Sequence, residues 1–231
     1  MTTSHQFAGF PAEGLHFLRD LRDNNNKEWF NTHKAVYQNA VQAPAVALVV
    51  ALGERLRQSL PHITYDTRTN GAGSLMRIYR DTRFSADKTP YKTNVAMMFT
   101  ADVGKRMEQP GFGLQLSADH IELVAGIFQF SKPQLEAYRA AALDEKRGAA
   151  LVSCVEQVTT PIGYTIGGET YKRVPPSYDA HHPRAAWLKF SGLHVFAPPL
   201  PVEVAQTSAL VDQAAAHFVH MAPIVQWLEA V

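Results

Sequence analysis

The hydrophobic residues of this chain change period twice, and that change constrains the fold more than any single motif. From Leu15 to Leu60 they recur every three or four positions, from Val95 to Phe128 they alternate, and after Ser131 the helical spacing returns. Leu15, Leu18 and Leu21 form one helix face that stops at the polar run Asn24, Asn25, Asn26. Asn25 with Glu28 three residues later reads as a capping pair for a second helix carrying Trp29, Phe30, Val36, Tyr37 and Val41. Pro44 reads as the opening of a third, with Val49, Leu52, Leu56 and Leu60 on one side, because a first helical turn does not need the N–H that proline lacks.

In the middle of the chain, Leu75 to Arg80 is rich in strand-favouring types. Val95, Met97 and Phe99 alternate, as do Phe112, Leu114 and Leu116, and Ile121 to Phe128 reads as the hairpin partner of the latter. Helices are expected around Leu135, Tyr138 and Ala142, and from Ala149 to Val158. The segment 161–190 is loop-rich, with one strand and a short helix at Arg184 to Lys189; Leu193 to Phe196 is a last strand, and Leu210 to Val231 a helix interrupted near Pro223. The expected fold is a single α+β domain over residues 1–231. A mostly antiparallel sheet of four to six strands centres on 74–128, with helices over 11–60 and a helical and loop region over 131–231.

With 231 residues and 46% hydrophobic content, such a domain can bury a substantial core. No run approaches the roughly 20 continuous apolar residues of a membrane span, and the N-terminus has neither a basic start nor an apolar signal core. The reading is a soluble, cytoplasmic protein with no membrane partner. Cys154 is the only cysteine, which excludes an internal disulfide and a thiolate-rich zinc site and fits an inert buried thiol. No cofactor motif occurs, and "TNGAGS" at Thr69 to Ser74 lacks the lysine of a nucleotide loop and reads as a turn. His217 and His220, three apart on a helix, have no further ligand beside them in sequence, so no metal is expected.

Charge is concentrated in one place. The segment "RIYRDTRFSADKTPYK" sets Arg77, Arg80, Arg83, Lys88 and Lys92 against Asp81 and Asp87, leaving 17 basic and 19 acidic residues elsewhere. A local excess suits an anion site better than the extended stripe that duplex DNA favours. Arginine offers a planar fork to two oxygens of a phosphate or carboxylate, and lysine a movable charge. Arg77, Arg80, Arg83 and Lys88 are therefore candidate anion ligands, Asp81 and Asp87 candidates to orient them, and Tyr91 a candidate donor or acid. Lys172, Arg173, Tyr178, His182 and Arg184 form a second cluster. Folded against the first, it would add Lys172 and Arg173 to the anion clamp and His182 as a proton carrier. Two alternatives stand beside this: an internal salt-bridge network with Phe84 and Tyr91 as apolar anchors, and a nucleic-acid contact surface.

The spacing of positions 77, 80, 81, 84, 88 and 91 also fits a helix. Against that stand Thr82, Ser85, the two aspartates and Pro90, so the expectation is a strand ending near Arg80 followed by a loop. Convergence of Arg77 and Arg80 then requires a bulge or turn at Tyr79 to Asp81.

The segment resembles the bacterial family called domain of unknown function 2461, whose pattern RxxRDxRFxxxKxxY is met at Arg77, Arg80, Asp81, Arg83, Phe84, Lys88 and Tyr91. "FLRDLRDNNNKEWFNTHK", "YKRVPPSYDAHHP" and "APIVQWLEA" are similar to that family in the same order, so the resemblance spans essentially the whole chain. Ser177 stands where the family leads one to expect glycine. The resemblance implies no reaction; related domains in some fungal proteins are described as chromatin-associated, which makes nucleic acid or chromatin the partner it implies.

Overall fold

The computed structural model describes residues 6–103 and 108–231. Three strands form a meander: β1 (Val95–Phe99), β2 (Gly111–Leu116) and β3 (His120–Ile127). The sheet continues in the order β1-β2-β3-β5-β4, with β4 at Thr165–Glu169 and β5 at Phe190–Phe196, and short β6 (Leu200–Pro201) pairs with β3. All pairings are antiparallel. The expected α+β architecture, with helices at both ends, is what the chain adopts.

One face of the sheet is buried and sets its register. Met97 lies opposite Leu114 and Leu114 opposite Leu123, and a slip of one residue would turn all three out of the core. Their partners are α4 (Ala43–Arg57) and α7 (Ala209–Glu229), where Leu48, Val49, Leu52, Phe218, Ile224 and Val225 are all fully buried. Phe112 of β2 meets Phe218 of α7 at 5.3 Å between ring centres. The other face is polar in places, with Gln115 donating to Glu122 across the strands at 3.0 Å.

The N-terminal helices differ from expectation in two ways. Asn26, not Asn25, caps α2 (Lys27–Thr32), its side chain accepting from the Trp29 N–H at 3.0 Å. Pro44 does not begin a separate helix either. α3 (Lys34–Val36), a π-helical turn (Tyr37–Gln42) and α4 run on as one helix, Lys34–Arg57. Within the π turn the Ala43 N–H reaches back five residues to the Gln38 carbonyl. This widened turn lies immediately before Pro44, the residue that cannot supply an ordinary i→i−4 bond. By length and composition this 24-residue helix could cross a membrane; here its apolar side is consumed by the core. The turn also brings Tyr37 against Phe17 and Phe30, at 5.9 and 5.4 Å.

Two further expectations need correction. Leu75 to Arg80 is not a regular strand; one isolated bridge joins Leu75 to Met97 of β1, and a second joins Tyr79 to Tyr91 outside that strand. α7 passes Pro223 without a break. The carbonyl that this proline leaves without its helical donor belongs to Val219, an exposed residue. The rest follows the sequence: α5 (Lys132–Leu143) starts where the Gln134 side chain accepts from the Ser131 N–H, and α6 (Glu145–Thr159) where Asp144 accepts from the Arg147 N–H.

α1 (Ala12–Asp23) crosses the π turn so closely that a methyl group added at Gly14 would fall on the Ala40 carbonyl oxygen, an atom of fixed backbone. Gly14→Ala, elsewhere a helix-favouring change, should here destabilise the fold by about 1–3 kcal/mol, measured by urea unfolding.

Candidate functional site

The charged segment folds as an irregular hairpin beside β1. Tyr79 and Tyr91 bridge its two arms, with the Arg80 N–H donating to the Pro90 carbonyl (2.9 Å) and the Lys92 N–H to the Ile78 carbonyl (2.7 Å). Pro90 lies where only a carbonyl is required of it. A second bridge joins Leu75 to Met97. Between the bridges the chain advances four residues from Leu75 to Tyr79 but six on the facing arm from Tyr91 to Met97. The surplus is taken up in a bend at Thr93 and Asn94. The irregularity expected at Tyr79 to Asp81 thus lies on the facing arm, and the helical alternative is excluded.

Much of the charge is satisfied inside the hairpin loop. Asp81 accepts from the Arg83 guanidinium at 3.0 and 2.7 Å and from the Arg83 N–H at 3.2 Å. Arg80 donates to Asp87 and to the Thr89 hydroxyl, Asp87 also accepts from the Thr89 N–H at 2.9 Å, and the Lys88 ammonium donates to the Thr82 carbonyl at 2.9 Å. The donors of Arg83 hold the Asp81 carboxyl down at about 2, and the Thr89 N–H followed by Arg80 does the same for Asp87.

The hairpin is fixed to the N-terminal helices by one side chain. The Asn25 amide donates to the Tyr91 carbonyl (2.9 Å) and accepts from the Tyr91 N–H (3.0 Å), so a side chain occupies the hydrogen-bonding edge that a neighbouring strand would otherwise take. The Tyr91 ring stacks on Phe30 at 4.0 Å with its planes 15° apart, and Tyr79 lies 5.4 Å away. Burial, with Tyr79 adding to it, raises the Tyr91 phenol, so it is a protonated hydrogen-bond donor at neutral pH.

Beside this clip lies a cleft of about 340 Å³. Arg80, Asp87, Thr89 and Tyr91 line it from the hairpin, Arg22 and Asn25 from the end of α1, and Lys92, Thr93 and Asn94 from the bend. Arg22 is held by Asp119 at 2.9 Å. The Lys92 ammonium has no hydrogen-bond or ion-pair partner among the described residues, yet the residue is half-buried. Burial, and after it the charge of Arg77, lowers its pKa.

Arg80, Asp87 and Tyr91 are therefore gathered at one cleft, whereas Arg77, Arg83 and Lys88 are exposed and do not line it. Phe84 is no anchor: it is 95% exposed, with the Arg83 guanidinium 5.8 Å from its ring centre. Arg22 and Lys92 were not among the candidates, although the "KTN" after Tyr91 stands in the sequence; the amides of "NNNKEW" could be read as pocket-lining, but helix capping sufficed to explain them.

The second cluster lies elsewhere. It belongs to the connection from β4 to β5, at the far edge of the sheet from β1, and is fastened to α5. Arg184 donates to the carbonyls of Ala142, Leu143 and Asp144 at 2.9 to 3.1 Å, closing the C-terminal end of α5. His182 Nδ1 accepts from the Arg184 N–H at 3.0 Å. Tyr171 and Tyr178 flank the Arg139 guanidinium at 5.1 and 5.8 Å, and Lys172 and Arg173 are exposed. The condition for one shared pocket is therefore not met: none of Lys172, Arg173, Tyr178, His182 and Arg184 lines the cleft beside Tyr91.

The histidines of α7 have plain partners: the Tyr164 hydroxyl lies 2.7 Å from His217 Nδ1, and the Val158 carbonyl 2.9 Å from His220 Nε2. Among the described residues no group of three or more His, Cys, Asp or Glu side chains could hold a metal ion. Cys154 is half-buried, and burial raises its thiol to about 11.

Residues 13–227 match the model of a family described as conserved hypothetical protein, DUF2461, and the chain belongs to that family. No curated protein matches the chain.

Two outcomes check this geometry. Asn25→Ala leaves the Tyr91 backbone without either partner and should cost about 1–3 kcal/mol in urea unfolding. For the loop aspartates the sign follows from depressed values: their contribution to loop order is complete above the ordinary carboxylate value of about 4 and is lost as pH falls through about 2. The Thr89 and Arg83 amide resonances should shift together over that window, and Asp87→Ala should abolish the Thr89 shift alone.

Proposed function

We propose that this member of the DUF2461 family binds an anion, and specifically a small molecule bearing phosphate or a comparable dianion, in the cleft beside the hairpin. The observation that carries the reading is Lys92, a half-buried ammonium without an acceptor among the described residues, in a cleft that also holds Arg80 and Arg22. Burying a charge without a counter-charge is unfavourable, and an anion in the cleft offsets that cost and returns the lysine pKa upward. Arg80 then serves two acceptors, Asp87 and the guest, while Asp87 holds its fork in place. The hydroxyls of Thr89, Thr93 and Tyr91 supply neutral donors around it. Arg83 and Lys88 act on this reading as ties within the loop.

The exposed Phe84 beside Arg83 favours a second reading, in which a single-stranded nucleic acid stacks a base on the ring and lays phosphates toward the cleft. Binding of an oligonucleotide at low salt that weakens steeply as salt rises, and is reduced by Phe84→Ala, supports it; no binding at low salt removes it.

Phosphate, pyrophosphate and a sugar phosphate, titrated at constant ionic strength, test the first reading. A fitting guest at about a hundredfold its Kd should raise Tm by roughly 5–10 °C, and Lys92→Ala and Arg80→Ala should each abolish the rise. A shift of about one or two degrees, equal for every anion, would overturn it.

A further inference from the structure

A second hollow, unrelated to the cleft, lies where α5 and the end of α7 meet the far end of β3. It measures about 310 Å³ and is walled by Pro110, Ile127, Phe130, Ala137, Leu228 and Val231. An apolar cavity of about 150 Å³ suffices to hold benzene, so the space suits a larger guest. Two polar side chains line it, Gln134 and Tyr138. The Gln134 amide is already used at both ends, donating to the Glu108 carbonyl at 2.6 Å and accepting from the Ser131 N–H at 2.9 Å.

Tyr138 is different. It is 0% exposed, and its hydroxyl is buried with no hydrogen-bond partner among the described residues. The ring cannot swing to find one: it stacks on Phe130 at 4.7 Å and meets Trp227 edge-on at 5.9 Å. A buried hydroxyl without a partner costs roughly 1–3 kcal/mol, and phenylalanine would fill the same stack without that cost. The hydroxyl is accounted for if something entering the hollow accepts its proton.

We infer that this hollow is a binding site for a small, uncharged, largely apolar molecule carrying one hydrogen-bond acceptor, a carbonyl or ether oxygen, to which the Tyr138 hydroxyl donates. The walls offer no charged side chain to an ionic guest and ample surface to an aromatic ring or short alkyl chain. The site is independent of the anion cleft, which lies toward the opposite end of β3, near Asp119, the partner of Arg22.

Acetophenone and ethylbenzene, nearly equal in shape and differing in the carbonyl, are the probes. Each is titrated into isotopically labelled full-length protein while the Ile127 and Ala137 methyl resonances are followed. Both should shift these methyls saturably, and the affinity ratio of acetophenone to ethylbenzene should fall about fivefold or more in Tyr138→Phe, with ethylbenzene binding itself retained. Retained ethylbenzene binding also shows that the variant is folded and its hollow intact. An unchanged ratio, or no saturable shift of these methyls with either probe in the wild type, overturns the inference.

Discussion

The arrangement of the candidate site depends on one side chain standing in for a strand. Asn25, at the turn between α1 and α2, completes the hydrogen bonds of Tyr91 on an edge that no strand reaches. Through that pair the hairpin is held at the helices and not left as an appendage of β1, and the stack of Tyr91 on Phe30 closes the same joint with apolar surface. The cleft exists because the joint and the bend at Thr93 and Asn94 hold two surfaces apart: Arg22 and Asn25 on one, Arg80 and Lys92 on the other. Sequence, local irregularity and cleft are thus linked by a contact across 66 positions.

The electrostatics of the hairpin follow from distance along the chain. Asp81 and Arg83, two residues apart, find each other without any help from the fold, as do Asp87 and the Thr89 N–H. Such local pairs order a loop and take their cations out of contention for a guest. Lys92 follows the bridge residue Tyr91 and lines the cleft together with Asp87, whose carboxylate is taken by Arg80. The residue that best suits a binding role is therefore the one at the edge of the charged run, not those at its centre.

The sheet was legible in the sequence because burial on one face imposes alternation, and Val95, Met97 and Phe99 display it directly. The helices were legible for the same reason at their own period. What could not be read were features set by tertiary partners. The amide of Asn25 looks like any capping asparagine until Tyr91 is beside it, and the π turn before Pro44 becomes apparent only in the continuous helix. The second basic cluster misled because residue type was visible and destination was not: Arg184 is spent on the carbonyls that end α5. Arg139 and Tyr138, adjacent on α5, read as ordinary helix residues, yet two nitrogens of the one and the hydroxyl of the other are buried without a hydrogen bond among the described residues.

The two bends in the outermost strands have a further effect on how copies of the protein meet. The β1 side is covered by a segment that pairs in two short contacts and then drifts out of step, and β4 on the other side loses register between Gly167 and Glu169. Neither margin offers a long straight row of free N–H and C=O groups. Stacking of molecules sheet to sheet through their margins, the first step toward fibres, is discouraged by both irregularities, and the one at Thr93 and Asn94 also borders the cleft.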